Sequence, residues 1–114
     1  MAVSKAFLIA VEELLAFTPG LRTRRMFGGA GVFSEDMMFG LVADDVLYLK
    51  ADAENRAEFE AEGLEPFIFV DKAGQETPLG YRRAPESVWD DPDEAQRWAS
   101  IGLGAALRAK ARKR

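Results

Sequence analysis

Apolar residues in the first part of the chain recur at steps of three and four, which is the spacing of one face of an amphipathic helix. The residues on this face are Phe7, Leu8, Val11, Leu14 and Leu15. Ser4 precedes them as a candidate N-cap, and Pro19 ends the pattern because proline lacks the backbone N–H that a helix needs. The pattern predicts an N-terminal helix between these two residues.

From residue 24 to residue 50 the apolar positions form short runs that are rich in β-favouring residues. The predicted strands cover residues 31–33, 37–43 and 46–50, with turns at 34–36 and 44–45. In segment 37–42 both faces are apolar, whereas a strand with one face in water alternates. We expect one face to pack on helices, and a second copy of the chain is the economical cover for the other.

The second half of the chain begins with one predicted helix and two predicted strands. Residues 52–62 predict a short, heavily acidic helix that Gly63 ends. Strands are predicted at 67–70 and 78–83, and prolines at both ends of the latter place those ends at an edge of the sheet or at its exit.

The last helix has the clearest start signal. Asp91 can cap it, Pro92 occupies the first helical position, and Glu94 stands where a capping box places its acid. Small residues then recur on one face at steps of four and three, at Ala95, Ala99, Gly102, Ala106 and Ala109. This seam allows another backbone to approach closely, either that of a partner or that of the sheet of the same chain.

The most unusual stretch is Arg24-Arg25-Met26-Phe27-Gly28-Gly29-Ala30-Gly31. A phosphate-binding P-loop would require a Lys-Ser/Thr pair and a helix after the last glycine, but Val32-Phe33-Ser34 follows. The dinucleotide-binding fingerprint fails as well, because Ser34 stands in place of its third glycine. Gly28, Gly29 and Gly31 are therefore interpreted as a structural bend or bulge between strands.

The composition excludes several kinds of catalytic and metal-binding site. The 114 residues predict a single domain, and the absence of both Cys and His removes thiolate nucleophiles, Ser-His-Asp triads and the usual zinc ligands. We therefore predict no catalytic residues, no metal and no cofactor, and we expect a cytoplasmic protein without a membrane span. Residues 108–114 carry five of the 15 positive charges, so the first 107 residues sum to −9 and a basic tail follows an acidic body.

The arginine–glycine stretch resembles the TfoX N-terminal domain family when it is taken together with Met38-Phe39, residues 47–52, residues 59–67, the run 81–85 and Trp98. The resemblance covers nearly the whole chain in order. It implies an α+β fold in which an antiparallel meander is flanked by N-terminal and C-terminal helices, in a two-layer arrangement similar to secretion chaperones. It also implies a bacterial regulator of competence that acts as a coactivator of DNA-uptake genes alongside the cAMP receptor protein, without catalysis.

Three classes of function follow from these observations. The first is a non-catalytic regulatory or protein-interaction module whose partner is a transcription factor or a polymerase component, with a homodimer as a further expectation. The candidate interaction residues are Met38, Arg82, Arg83, Ala99, Gly102 and Ala106. The alternative is weak nucleic-acid binding by the basic tail together with Arg22, Arg24, Arg25, Arg82 and Arg83. A small-ligand binder or enzyme would require a pocket at Tyr48, Tyr81 or an arginine pair.

Overall fold

The computed structural model describes residues 3–26 and 28–113 of the chain. Its helices are α1 (Lys5–Leu14), α2 (Arg56–Ala61), a short 3-10 helix (Glu86–Trp89) and α3 (Pro92–Arg112). Its strands are β1 (Leu21–Met26), β2 (Gly29–Ser34), β3 (Met37–Ala43), β4 (Val46–Lys50), β5 (Pro66–Val70) and β6 (Glu76–Arg83). None of the helices in these ranges combines the length and the apolar character needed to cross a bilayer.

The described strands form one antiparallel sheet in the order β1-β2-β3-β4-β6-β5. The first four follow chain order as a meander, and β6 then pairs with β4 while β5 takes the edge. Only residues 81–83 of β6 pair with β4, so Pro78 lies where β6 pairs with β5 alone. Proline is tolerated there because no second neighbour requires its missing N–H. The predicted α+β class is confirmed.

The helices all pack on one face of the sheet. The sheet contributes Val32, Val42, Leu47 and Leu49 to the core on this side, each at most 4% exposed. The helices contribute Val11 and Leu15 from α1, Phe59 from α2, and Ala95, Trp98, Ala99 and Ala106 from α3. The rings of Phe59 and Trp98 lie 5.2 Å apart, which fixes α2 against α3.

The small-residue seam of α3 lies on strands β3 and β4 of its own chain. A Cβ added at Gly102 would come within 3.2 Å of the Phe39 carbonyl oxygen and 3.3 Å of Leu49 Cβ. Gly102 therefore lets helix and sheet approach more closely than a larger residue would. Ala99 is 1% exposed and Ala106 is 4% exposed, so the seam is part of the core.

Local signals at the helix starts act mostly as predicted. Ser4 caps α1 by accepting a hydrogen bond from the Phe7 N–H at 3.1 Å, and Asp91 caps α3 through the Asp93 N–H at 2.9 Å. The predicted capping box does not form. The Asp91 N–H already donates to the Ser87 carbonyl, and Glu94 instead accepts from the Trp98 indole at 3.3 Å.

Other boundaries differ from the prediction. Strand β1 begins at Leu21 and β2 at Gly29, earlier than expected, and the predicted helix 52–62 contracts to α2. The two-residue turn at 44–45 is confirmed even though it lacks glycine. Both aspartates there have positive φ, of 52° and 56°, which is the conformation that a tight hairpin requires.

Candidate functional site

The face of the sheet opposite the helices, here called the open face, is built from alternate residues of the strands. It carries Arg22, Arg24, Met26, Phe33, Met38, Leu41, Tyr48, Lys50, Phe67, Phe69, Leu79, Tyr81 and Arg83. The register defines one row across it: Arg24 lies opposite Gly31, then come Leu41, Tyr48 and Arg83. Because directly opposed residues project from the same face, this row begins and ends with an arginine and is apolar between them.

At the β1 end of the open face, two arginines surround an aromatic ring. The guanidinium carbons of Arg22 and Arg24 lie 5.6 and 5.5 Å from the centre of the Phe33 ring, within the range of cation–π attraction. Arg22 also donates to the Glu35 carbonyl oxygen from Nε at 3.3 Å and from Nη2 at 3.1 Å. Arg24 remains exposed, so its charge is available to a partner.

Towards β5 the open face becomes an apolar trough. The rings of Tyr48 and Phe67 meet edge to face at 5.0 Å, and Phe69 and Leu79 continue the lining. Leu41 forms the floor and is 4% exposed, whereas Leu79 is 39% exposed. None of the described helices packs on Leu41, Tyr48, Phe67 or Leu79. Apolar groups of a small domain that lack such cover are characteristic of contact surfaces.

The charge on this face has one sign. Within the strands as described, the charged residues that project from the open face are Arg22, Arg24, Lys50 and Arg83. Arg83 lies 3.7 Å from Glu86, an ion pair that is exposed and therefore weak. Since the first 107 residues sum to −9, the acidic charge is concentrated elsewhere, and the open face is a basic and apolar surface on an acidic domain.

The two tyrosines of the open face stay protonated at neutral pH. Burial raises the pKa of Tyr81 to about 12, and burial is also the main cause of the raised pKa of Tyr48. Both hydroxyls are thus hydrogen-bond donors rather than bases. In the described ranges no group of three or more His, Cys, Asp or Glu side chains is placed to hold a metal ion.

The structure separates the residues of the arginine–glycine stretch. Arg24 and Met26 belong to the open face, while Arg25 turns to the helix side and donates to the Val3 carbonyl at 3.3 Å. Gly28 has a positive φ of 77° in the turn between β1 and β2. Gly29 and Gly31 are buried in β2, where a strand and not a helix follows. Phe27 lies outside the described residues.

The predicted interaction residues divide between the two sides of the sheet. Met38 and Arg83 lie on the open face. Arg82 turns to the helix side, where it donates to the Leu64 carbonyl at 2.9 Å and lies 3.4 Å from Glu60. The seam residues Ala99, Gly102 and Ala106 are buried by their own chain, so they are not part of an exposed contact surface for another protein.

Only some of the arginines that were candidates for nucleic-acid binding lie on the same face of the sheet. Arg22, Arg24 and Arg83 share the open face, whereas Arg25 and Arg82 are held on the other side. The predicted basic tail is mostly helical, because α3 continues to Arg112. Its first cation, Arg108, forms a bidentate pair with Asp52 at 2.7 and 3.0 Å.

Several residues of the open face were not singled out from the sequence. Phe33 contacts Arg24, and Phe67 contacts Tyr48. In both pairs the neighbour lies on another strand, so the sequence around each phenylalanine does not indicate the contact. A usable signal was the alternation in β4, where Leu47 and Leu49 are buried and Tyr48 is not. That alternation assigns Tyr48 to the face opposite the core.

The fold and the open face together define a small α+β domain in which the described helices cover one side of an antiparallel sheet, and the other side is basic and apolar. Comparison with known proteins identifies its family: the TfoX N-terminal domain matches residues 13–106, and the chain belongs to this family. It is 30% identical to Protein Sxy of Escherichia coli (strain K12) over 99 residues, which is 87% of this chain and 47% of that protein.

A second relative is the DNA transformation protein TfoX1 of Aliivibrio fischeri (strain ATCC 700601 / ES114). The identity there is 51% over 49 residues, covering 43% of this chain and 23% of that protein. The chain thus spans about half, or less, of the length of these relatives. The name of the second relative refers to DNA transformation. None of the names of the family and the two relatives states an enzymatic activity.

Proposed function

We propose that the protein is a non-catalytic regulatory module of the competence-regulator type, and that it acts by binding a protein of the transcription machinery. The observation that carries the proposal is the open face, where the described helices leave Leu41, Tyr48 and Phe67 without a helix packed on them. Arg24 and Arg83 lie at the two ends of the row that contains Leu41 and Tyr48. Membership of the TfoX N-terminal domain family and a relative named for DNA transformation support the same class of function.

The chemistry of the open face defines the partner that it fits. Arg24 and Arg83 stand at opposite ends of one row, with Leu41 and Tyr48 between them. An acidic segment that carries one or two apolar anchors would place carboxylates at the arginines and its anchors in the trough. We commit to such a segment on a transcription factor or an RNA polymerase subunit, because a neutral or basic partner would leave the arginines unpaired.

The test measures binding to purified partners. The cAMP receptor protein and RNA polymerase from the native host are titrated against the immobilised domain by biolayer interferometry. Arg24→Glu should weaken binding at least about tenfold, because an exposed cation at the contact becomes an anion. Arg97→Glu is the matched control: Arg97 also lies over an aromatic ring, 4.9 Å from the centre of Trp98, but on the helix side.

The control should change affinity by less than about twofold. Equal loss in both variants would show that the open face is not the contact. A complex with neither protein, together with a dimer that Arg24→Glu dissociates, would assign the face to self-association.

Nucleic-acid binding is the second candidate, and the observation that favours it is the convergence of Arg22, Arg24 and Arg83 on one face. The net charge of −9 over the first 107 residues opposes it, because a duplex would be repelled outside this face. Duplex DNA is therefore included in the same titration. Salt-resistant DNA binding that Arg24→Glu abolishes, without binding to either protein, would favour this candidate.

A further inference from the structure

A groove of about 340 Å³ opens where the end of the sheet meets the last turns of α3. It is lined from the sheet side by Met38, Lys50 and Tyr81, and from the helix side by Lys110 and Lys113. Its volume falls in the lower part of the range of roughly 300–1,000 Å³ that is typical of small-molecule sites. We call it the basic groove, and it is separate from the glycine stretch excluded above as a phosphate cradle.

Positive charges converge in the basic groove from two different elements. Lys50 comes from β4, and Lys110 and Lys113 come from α3. Lys113 makes no ion pair with any described residue, and Lys50 is paired only with the ring of Tyr81, at 5.1 Å. The one acid of the lining is Asp36, which lies 3.3 Å from Lys110 in an exposed pair.

The helix dipole does not account for this arrangement. Cations in the last turn of a helix stabilise its negative end, which explains Lys110 and Arg112. Lys50 belongs to the sheet, and its approach to the helix cations is unfavourable. Burial lowers its pKa, and the nearby charges of Lys113 and Arg112 lower it further, against an opposing effect of Asp52. Both carboxylate oxygens of Asp52 already accept hydrogen bonds from Arg108.

The remaining wall of the basic groove is apolar. Phe33, Met37 and Met38 line it from the sheet, and alanines line it from α3. Methionine side chains are flexible and polarisable, so they adapt to the faces and edges of a ring. The groove thus combines an apolar wall with three ammonium groups, a combination that suits a ligand with one apolar end and one end of multiple negative charge.

We propose that the basic groove binds a small phosphorylated molecule that carries an apolar ring, with its phosphates at Lys50, Lys110 and Lys113 and its ring against the methionines. A nucleoside diphosphate is the simplest molecule of this class. The groove borders the open face and shares Phe33, Met38, Lys50 and Tyr81 with it. It contains no residue of the row between Arg24 and Arg83, so either proposal can fail alone.

Isothermal titration of the whole chain with ADP tests the proposal, with adenosine and pyrophosphate as separate ligands. ADP should bind with a Kd below about 1 mM, and each half-ligand should bind at least about tenfold more weakly. Lys50→Met keeps the aliphatic stem and should weaken ADP at least about tenfold, whereas Lys72→Met, in the exposed turn between β5 and β6, should change it less than about twofold.

Two further variants change exposed residues of the groove, so their effects on ADP binding do not result from unfolding of the chain. Lys113 lies at the exposed end of α3. Lys113→Ala should therefore leave the circular dichroism unchanged while it weakens the binding of ADP. Asp36→Asn removes the one acid of the lining and frees Lys110, so it should tighten ADP several-fold. Absence of ADP binding, or equal losses in Lys50→Met and Lys72→Met, would overturn the proposal. Pyrophosphate that binds as tightly as ADP, or an oligonucleotide that binds where ADP does not, would overturn it as well.

Discussion

Replacing Gly29 tests the physical meaning of the glycine stretch. Gly29 does not have a positive φ, so alanine is compatible with its backbone conformation. The obstacle is space: a Cβ added there would overlap the backbone carbonyl oxygen of Val42 on the neighbouring strand. A backbone atom cannot move aside as a side chain does, so β2 and β3 would have to separate locally. We expect Gly29→Ala to lower the free energy of unfolding by at least about 3 kcal/mol.

Gly31 provides the comparison, because it is buried in the same strand but meets side chains instead. Its added Cβ would lie 2.8 Å from Met26 Cε, 3.0 Å from Phe33 Cε1 and 3.2 Å from Met38 Cε, all of them side-chain atoms, and the two methionine ends are flexible. Those ends can move, and alanine also reduces the entropy of the unfolded chain by about 0.4–1 kcal/mol. Gly31→Ala should therefore cost no more than about 1 kcal/mol. Gly74→Ala, with a φ of +82° and open space around it, should cost about 1 kcal/mol from backbone strain alone.

Urea unfolding followed by tryptophan fluorescence measures all three variants, since Trp98 is 1% exposed and will report the loss of the core. The expected order is a large loss for Gly29→Ala and small losses for the other two. If Gly29→Ala lies within about 1 kcal/mol of the wild type, the close approach of the two strands is not a constraint, and the structural interpretation of this glycine fails.

Three other predictions concern charge and association. The hydrogen bonds from Arg108 hold the pKa of Asp52 below its ordinary value of 3.8, so their stabilisation is present above that pH and is lost as the pH falls through the lowered pKa. Asp52→Asn should therefore lower the Tm at neutral pH, and calorimetry should show this difference shrinking from about pH 5 to about pH 2. If the protein dimerises through the open face, Met38→Glu should halve the mass measured by light scattering with the circular dichroism unchanged, whereas Ala99→Glu should unfold the chain because Ala99 is in the core. Duplex DNA binding at physiological salt should be weak and independent of sequence, and removal of residues 110–114 should abolish most of it in an anisotropy titration.

Features set by adjacent residues could be predicted from the sequence. The start of α3 follows from Asp91 and Pro92, since a cap acts over one helical turn. The hairpin at residues 44–45 follows from two apolar runs separated by two polar residues. Each signal lies within a few positions of the boundary that it sets.

The contraction of α2 shows what local signals miss. Asp52 was predicted to begin a helix, but Arg108, 56 positions later in the chain, engages its carboxylate. The same carboxylate accepts the N–H groups of Glu54 and Asn55, and the Asn55 amide donates to the Ile101 carbonyl at 3.0 Å. Residues 52–55 are thereby fixed as a turn by contacts with α3, which only the folded chain brings into reach.

For a related reason, the residues of the open face could not be predicted from the sequence. Alternation distinguishes Arg24 from Arg25 only when the strand boundaries are known, and β1 begins earlier than predicted. Bulges after Val32 and Pro66 then shift the alternation in β2–β3 and in β5–β6. A shift of one residue exchanges the two faces of a strand, so the convergence of the basic side chains becomes visible only in the folded register.

The two outer strands of the sheet differ in how well they resist unwanted pairing with other chains. An unpaired strand edge is a template for aggregation, and charged side chains are a common protection. Strand β1 carries three arginines in six residues, whereas β5 carries no charge, and its Val70 is 56% exposed. Only the short length of β5 and Pro66 at its start limit growth from that side. Solubility at high concentration should therefore depend on the sequence of β5 far more than on that of β1.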